Sequence, residues 1–275
     1  MIYFYWGGQK LSFLRYMSLY SACKYIKQVS LVLRREVLRE QPLASGWEVR
    51  QDFNAYKGPD YLPDVFRLKD QGLIQIVYLE DFCKEVAELR YNDIYTSDLL
   101  SWYILAFHGG TVSDTDILYF RPLPETEANV ELIRFRQYPL PGYVTVSFMR
   151  AKEGGDEFFL DMYKEALAAT TGTYECLGAP LFSPDKVWLL LRLKKVKWLD
   201  PKIVFPFADT QAQKRYRRLL FHRRVKLPEE TIGIHWYAGN NQDFNNRITR
   251  SNYWDKRNRC TITSLIRSVL KDASQ

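Results

Sequence analysis

Cysteine is sparse and scattered: Cys23, Cys83, Cys176 and Cys260 form no C-x-x-C pair. This excludes a zinc site built on paired thiols and, in a chain of 275 residues, a disulfide-stapled scaffold. The four read as reduced, mostly buried thiols. No apolar run reaches the ~20 residues that a membrane helix requires. Nor does Met1-Ile2-Tyr3-Phe4-Tyr5-Trp6-Gly7-Gly8 carry a basic segment leading into an apolar core, so neither a span nor a secretory leader is expected. Together these absences predict cytoplasmic residence, in the host cytoplasm for a viral chain. Internal repeats, low-complexity tracts and linker-like stretches are also missing, which excludes a solenoid and favours a single domain over 1–275.

What is present is globular: 47% hydrophobic, 26% charged and 15% aromatic residues exclude disorder, collagen and coiled coil. With 39 basic and 32 acidic residues the net charge is +7, which favours an anionic ligand. Nucleotides, nucleic acid and membrane surfaces all remain open at this point.

The pattern along the chain predicts an α/β fold. Ile2–Trp6 reads as a strand closed by Gly7-Gly8, and Ser12 reads as the N-cap of a helix carrying Phe13, Tyr16, Met17, Tyr20 and Cys23. Val29–Leu33 reads as the next strand, completing β-α-β. Residues 34–72 are broken by Pro and Gly into loops and short helices, and Leu73–Leu79 predicts a buried strand. Leu100, Tyr103, Ile104 and Phe107 stand at helical spacing, with Thr96 or Ser97 as N-cap and Gly109-Gly110 as the stop. Thr111–Ser113 and Ile117–Phe120 flank the acidic triplet Asp114-Thr115-Asp116 as strand, break, strand. Further strands are predicted at Val130–Phe135, Tyr143–Phe148 and Ile232–Tyr237, with a helix at Glu157–Ala169.

Asp114 and Asp116 are two apart, so they share a face of a strand or converge in a loop on one divalent cation, whose shell a diphosphate completes. A bare D-x-D triplet also fits an Asx-type turn. Its place at a strand end in an α/β sheet, where ligands collect, favours the binding reading.

Three elements resemble one group. Ser97-Asp98-Leu99-Leu100, Tyr103-Ile104-Leu105, Gly109-Gly110 and Asp114-Thr115-Asp116 are similar to the signature of DxD-containing sugar transferases of the GT-A type. That group includes glycolipid galactosyltransferases, initiation mannosyltransferases and clostridial glucosylating toxins. Phe4-Tyr5-Trp6-Gly7-Gly8 resembles its first-strand WxGG element, and Gly233-Ile234-His235-Trp236 with Gly239 resembles its C-terminal H-x-W-x-G segment.

The resemblance implies a GT-A-like mixed nucleotide-binding sheet flanked by helices. A donor-binding core would occupy about 1–150, with an acceptor and C-terminal part over about 151–275. It also implies a Mn²⁺ or Mg²⁺ ion, a UDP-hexose or GDP-hexose donor, and hexose transfer to a hydroxyl of a glycan, glycolipid or glycoprotein, with retention of configuration. By the same resemblance Asp116 ligates the metal, and Asp114 reaches the metal or the donor's ribose or sugar. Asp98 accepts from sugar hydroxyls, and Trp6, or Tyr5, stacks on the base. Gly7, Gly8 and Gly110 border the donor, and His235 approaches the metal or diphosphate. Ser101 stands where the group commonly has Arg, and Asn240-Asn241 stand where Ser-Trp often follows the last Gly, so the sugar and the final phosphate contacts stay open.

Read without the resemblance, Asp98 sits in a first helical turn, where its charge suits the helix dipole. Trp6 reads as core, and His235 reads as a structural residue of its strand. The basic run Lys214–Arg224 and Lys194, Lys195 and Lys197 read as solvated faces, with contact to an anionic membrane as a further role. No nucleic-acid partner is expected on the transferase reading. The competing classes are a basic, non-catalytic binder of nucleic acid or anionic glycan and a metal-dependent nucleotidyl or phosphoryl transferase using the same carboxylates.

Overall fold

Ile2–Trp6 (β1) and Val29–Leu33 (β2) are buried along their whole length, as continuous apolar runs are when helices cover both faces of a parallel sheet. In the computed structural model, which describes residues 1–36, 56–137, 140–169, 181–193, 196–207 and 218–271, they lie side by side in a mixed seven-stranded sheet. The other strands are Gln75–Tyr78 (β3), Gly110–Ser113 (β4), Val130–Gln137 (β6), Leu140–Ala151 (β7) and Lys197–Leu199 (β8). Their order is β3-β2-β1-β4-β7-β6-β8. The first four are parallel, β7 is antiparallel to both β4 and β6, and β8 is parallel to β6. Ile117–Tyr119 (β5) and Gly233–His235 (β9) form a separate two-stranded antiparallel sheet.

Alternation along β1 sends Tyr3 and Tyr5 to one face and Ile2, Phe4 and Trp6 to the other. The first face packs on Asp93–Phe107, labelled α3 below, and on Glu157–Ala168. The second packs on Phe13–Tyr25 (α1) and Leu62–Asp70 (α2). Counting on, Glu157–Ala168 is α4, Pro184–Leu193 α5, Gln242–Arg247 α6 and Thr261–Lys271 α7.

Helix α1 is apolar nearly all round because it is sandwiched: Leu19 and Ala22 meet the sheet, while Phe13, Leu14 and Met17 meet a third layer with Trp236, Phe244, Ile262 and Ile266. The residues from 218 onward therefore complete the burial of α1. Ser12 caps α1 as the sequence predicts, its side chain accepting from the Arg15 N–H.

The α/β mixed sheet flanked by helices agrees with the expectation, and four local readings are corrected. Leu73–Leu79 is not a buried strand: β3 is the sheet edge, Gln75 is exposed and Leu73 is 44% exposed. Helix α3 begins at Asp93, because the Asn92 side chain accepts from the Ile94 and Tyr95 N–H groups. Thr96 and Ser97 are therefore not its cap, and Asp98 lies in its second turn, beyond the strongest reach of the dipole. The strand expected at Ile232–Tyr237 is shorter and pairs with β5 outside the main sheet. Cys23, Cys83 and Cys260 are free thiols, the last two buried. Cys176, Lys194, Lys195 and residues 214–217 of the basic run lie outside the described residues. No described helix is long and apolar enough to cross a membrane.

Candidate active site

The parallel strands end where β4 gives way to Asp114-Thr115-Asp116, and this segment is pinned from several directions. The Asp114 N–H donates to Ser147 O of β7 at 2.9 Å. The Thr115 hydroxyl accepts from Arg15 of α1. Asp116 O accepts the Trp236 N–H at 3.0 Å, and Asp116 Oδ2 accepts the Ala238 N–H at 2.7 Å. Strand β9 pairs Ile117 with His235, which brings the imidazole onto both carboxylates. Its Nε2 is 3.2 Å from Asp116 Oδ1 and 3.4 Å from Asp114 Oδ2. One ligand atom from each of Asp114, Asp116 and His235 lies within 4.8 Å of the others.

The charges of this cluster explain one another. Burial opposes a charged His235, but Asp116 and Asp114 outweigh it and raise the imidazole to about 9. Burial likewise opposes a charged Asp116, yet His235, Arg15 and the Ala238 N–H hold its carboxyl well below the usual range. Asp114 goes the other way: burial and the neighbouring Asp116 raise it, only partly offset by His235 and Arg15. Two oxygens and a nitrogen so close together are a donor set that suits a hard divalent cation, and a cation bound there would compete with a proton for His235.

Asp98 is half-buried on α3, and no side chain among the described residues hydrogen-bonds or ion-pairs with it. Burial and the charge of Asp114 push its carboxyl well above the usual range. Asp98 therefore lies near enough to the triplet to feel the charge of Asp114.

The solved structures similar to this chain include the following glycosyltransferases. PaToxG glycosyltransferase is 13% identical, with 79% of this chain and 82% of that one covered and a TM-score of 0.46. Glycosyltransferase GlyE of Streptococcus pneumoniae TIGR4 is 11% identical, with 98% of this chain covered, 60% of that one and a TM-score of 0.47. Galactosyltransferase LgtC, solved with donor and acceptor sugar analogues, is 12% identical, with 99% and 96% covered and a TM-score of 0.43. No protein-family model and no curated protein matches the chain. These similarities are distant, and the functional conclusion below stands on the geometry of the cluster.

The other expected donor contacts do not join it. Trp6 is 2% exposed in the core, and the Arg15 guanidinium lies 4.8 Å from its ring centroid, so it offers no open face for a base. Tyr5 is also buried; its hydroxyl donates to Asp93 Oδ1 at 2.8 Å and accepts from Arg34 Nε at 3.3 Å. Gly7 is needed because a Cβ there would collide with the Asp93 carboxylate and the Tyr5 hydroxyl. Gly8 is buried beside it. Gly110, at φ 92° with Met1 O against it, opens β4 at the end opposite Asp114, about 13 Å of extended chain away.

The sequence reading missed Arg15, Ser18 and Ser21, which stand three apart on α1 and form one buried polar stripe on an apolar helix. Arg15 holds Thr115, the Ser18 hydroxyl accepts from Trp236 Nε1 at 3.3 Å, and the Ser21 hydroxyl accepts from the Tyr119 N–H at 3.0 Å. Buried polar groups require partners, so a period-three polar stripe on a helix apolar elsewhere is the signal that could have found them.

Proposed function

We propose that this chain is a metal-dependent glycosyltransferase of the GT-A type, moving a hexose from UDP or GDP to a hydroxyl acceptor. The observation that carries this reading is the convergence of Asp114, Asp116 and His235 within 4.8 Å at the C-terminal end of the parallel strands. The donor set fits Mn²⁺ or Mg²⁺, held by Asp116, Asp114 and, once deprotonated, His235. Bound there, the ion would neutralise charge gathering on the leaving diphosphate.

The chain's own residues supply the rest. Asp98 accepts hydrogen bonds from sugar hydroxyls, and Arg15, Ala238 N–H and Ser147 O keep the acidic turn in place. The C1–O bond to the diphosphate breaks with its electron pair leaving on the nucleotide. The acceptor oxygen bonds C1, and its proton passes to a basic oxygen. Retention of configuration belongs to this reading through the resemblance, with front-face return and a covalent intermediate both open as its route. A core over about 1–150 would bind the donor and a part over about 151–275 the acceptor, with β7 at the boundary between them, within a reducing cytoplasm that keeps the cysteines as thiols.

Incubating the protein with a panel of nucleotide sugars, with Mn²⁺ and with EDTA, tests the reading. Metal-dependent release of nucleoside diphosphate and free sugar is the expected result. Pyrophosphate or inorganic phosphate instead would indicate a nucleotidyl or phosphoryl transferase. Polyanion binding with no turnover would indicate a binding module.

A further inference from the structure

The antiparallel pair β6–β7 overhangs the acidic turn. Pairing between β4 and β7 stops at Ser113 with Phe148, whereas pairing between β6 and β7 continues through Ile133 with Thr145 and Phe135 with Tyr143. On this overhang Tyr143 is 47% exposed. One face of its ring lies on Phe135, with centroids 4.7 Å apart and planes at 17°, while about half of the residue stays exposed.

The rings continue inward to the cluster. Phe135 meets Phe205 edge-on at 4.9 Å, and Phe205 touches His235 at 5.1 Å. Tyr237 lies edge-on to His235 at 4.2 Å and also touches Phe205 at 5.9 Å. Tyr237 stands at φ 53°, a conformation that costs a non-glycine residue energy and is held here by its surroundings. Beside this seam the hydroxyls of Thr145 and Ser147 share a hydrogen bond of 2.8 Å.

A half-exposed aromatic ring backed by a second ring, with hydroxyls at its rim, suits a ligand with an apolar face and a polar edge. A pyranose has that shape: axial C–H groups on its face and hydroxyls around it. The position argues for the acceptor rather than the donor base. Tyr143 is on β7, across β4 from the β1 and β2 strand ends, where an α/β sheet holds its nucleotide.

We propose that Tyr143, stiffened by Phe135 and flanked by Tyr237, is the platform on which a pyranose unit of the acceptor stacks, so that the acceptor is a glycan or glycoside rather than a peptide or a simple lipid alcohol. This rests on the glycosyltransferase reading. Tyr143 is exposed, so its replacement is compatible with folding, which a melting curve verifies.

The test compares wild type, Tyr143→Ala and Tyr143→Phe in two measurements. In transfer to methyl pyranosides, Tyr143→Ala should raise the acceptor KM about tenfold, the effect of losing one stacked ring, against a donor KM that moves less than twofold. Tyr143→Phe, which keeps the ring, should behave as wild type. In saturation-transfer NMR with Mn²⁺ and nucleoside diphosphate, methyl pyranosides should show contacts that Tyr143→Ala loses. A raised donor KM would mean that the ring holds the base, and the proposal fails. It also fails if Tyr143→Ala leaves the pyranoside KM unchanged, or if wild type transfers to serine or threonine peptides in preference to pyranosides. Should wild type hydrolyse no nucleotide sugar, the glycosyltransferase reading falls by itself. The NMR contacts still decide for or against Tyr143 as a sugar platform.

Discussion

Asp116→Asn and Asp114→Asn should fail differently, because the two carboxylates are held differently. Asp116 is 10% exposed in its side chain and already accepts the Ala238 N–H, while Asp114 is 39% exposed and, among the described residues, has only the longer side-chain contact with His235. An amide at 116 keeps the shape and an oxygen for Ala238 but deletes the negative charge that His235 and Arg15 face. Two things follow. The cation loses its most buried ligand, and His235, whose rise to about 9 depends first among its partners on Asp116, falls back toward its ordinary 6.5. Removing one electrostatic contact to charge that develops in the transition state costs about 3 kcal/mol, so turnover should drop on the order of a hundredfold or more. What remains should return only with much higher metal. At Asp114 water can replace part of the lost interaction, and the drop should be about tenfold, mainly in donor KM, with a smaller change in metal dependence. The assay is nucleoside diphosphate release from the best donor over a Mn²⁺ titration, with melting temperatures measured in parallel. Near wild-type turnover in both folded variants, or wild-type activity that survives EDTA, would refute the metal site and the proposed function with it.

Four further outcomes are expected. Folded His235 titrates at about 9 against an ordinary 6.5, so its protonated form stabilises the metal-free protein fully below pH 6.5 and the gain is lost as pH rises through about 9. Melting curves in EDTA should show this decline, and His235→Gln should flatten it; since metal must displace the same proton, Mn²⁺ affinity by calorimetry should rise over that pH range. Arg15→Met should cost the metal-free protein about 3 kcal/mol in urea unfolding by leaving Asp114 and Asp116 short of a buried countercharge, and added Mn²⁺ should restore part of it. Asn92→Ala should cost about 1 kcal/mol by removing the cap of α3. Arg223, Arg224, Lys226, Lys256, Arg257 and Arg259 are exposed, without ion pairs among the described residues, on segments joined by the Thr261 N–H to Arg223 O bond of 2.7 Å. Changing Arg223, Arg224, Lys256 and Arg257 to Gln should weaken sedimentation with phosphatidylserine vesicles, and wild type ignoring such vesicles at low salt would remove the membrane role.

The parts of the structure legible in the sequence were those that local chemistry alone specifies. β1, β2 and the Ser12 cap follow from an apolar run or a side-chain bond two or three residues away. The acidic triplet could be read because its flanking strands are short and its two carboxylates conspicuous. What escaped depends on neighbours distant in the chain. Leu73–Leu79 has the composition of a buried strand, but no strand adds beyond β3 among the described residues, and sequence does not say which strand ends a sheet. Trp6 before two glycines fits a stacking platform until Arg15, packed from α1, covers its ring. Gly7 fits close approach of a ligand, but the group that approaches is the Asp93 carboxylate, tied to Tyr5 and Arg34. Asn92 and Thr96 are both polar residues ahead of an apolar stripe, and only the bonds that Asn92 accepts from Ile94 and Tyr95 choose between them.

The same dependence on distant partners explains how two neighbouring carboxylates are tolerated in the acidic turn. Asp116 is buried and Asp114 is partly exposed beside it, and like charges so close repel, which favours proton uptake by one of them. Here the second sheet supplies the remedy. Strand β9 delivers His235, the residues after it deliver the Ala238 N–H, and α1 delivers Arg15, so the cluster holds two positive groups and a backbone dipole before any metal arrives. Arg15 and Ala238 are bound to the turn from behind, while His235 occupies the edge that the two carboxylates share. The fixed partners therefore hold the shape of the turn, and on the proposed reading a cation would displace the proton of His235 without rebuilding the backbone.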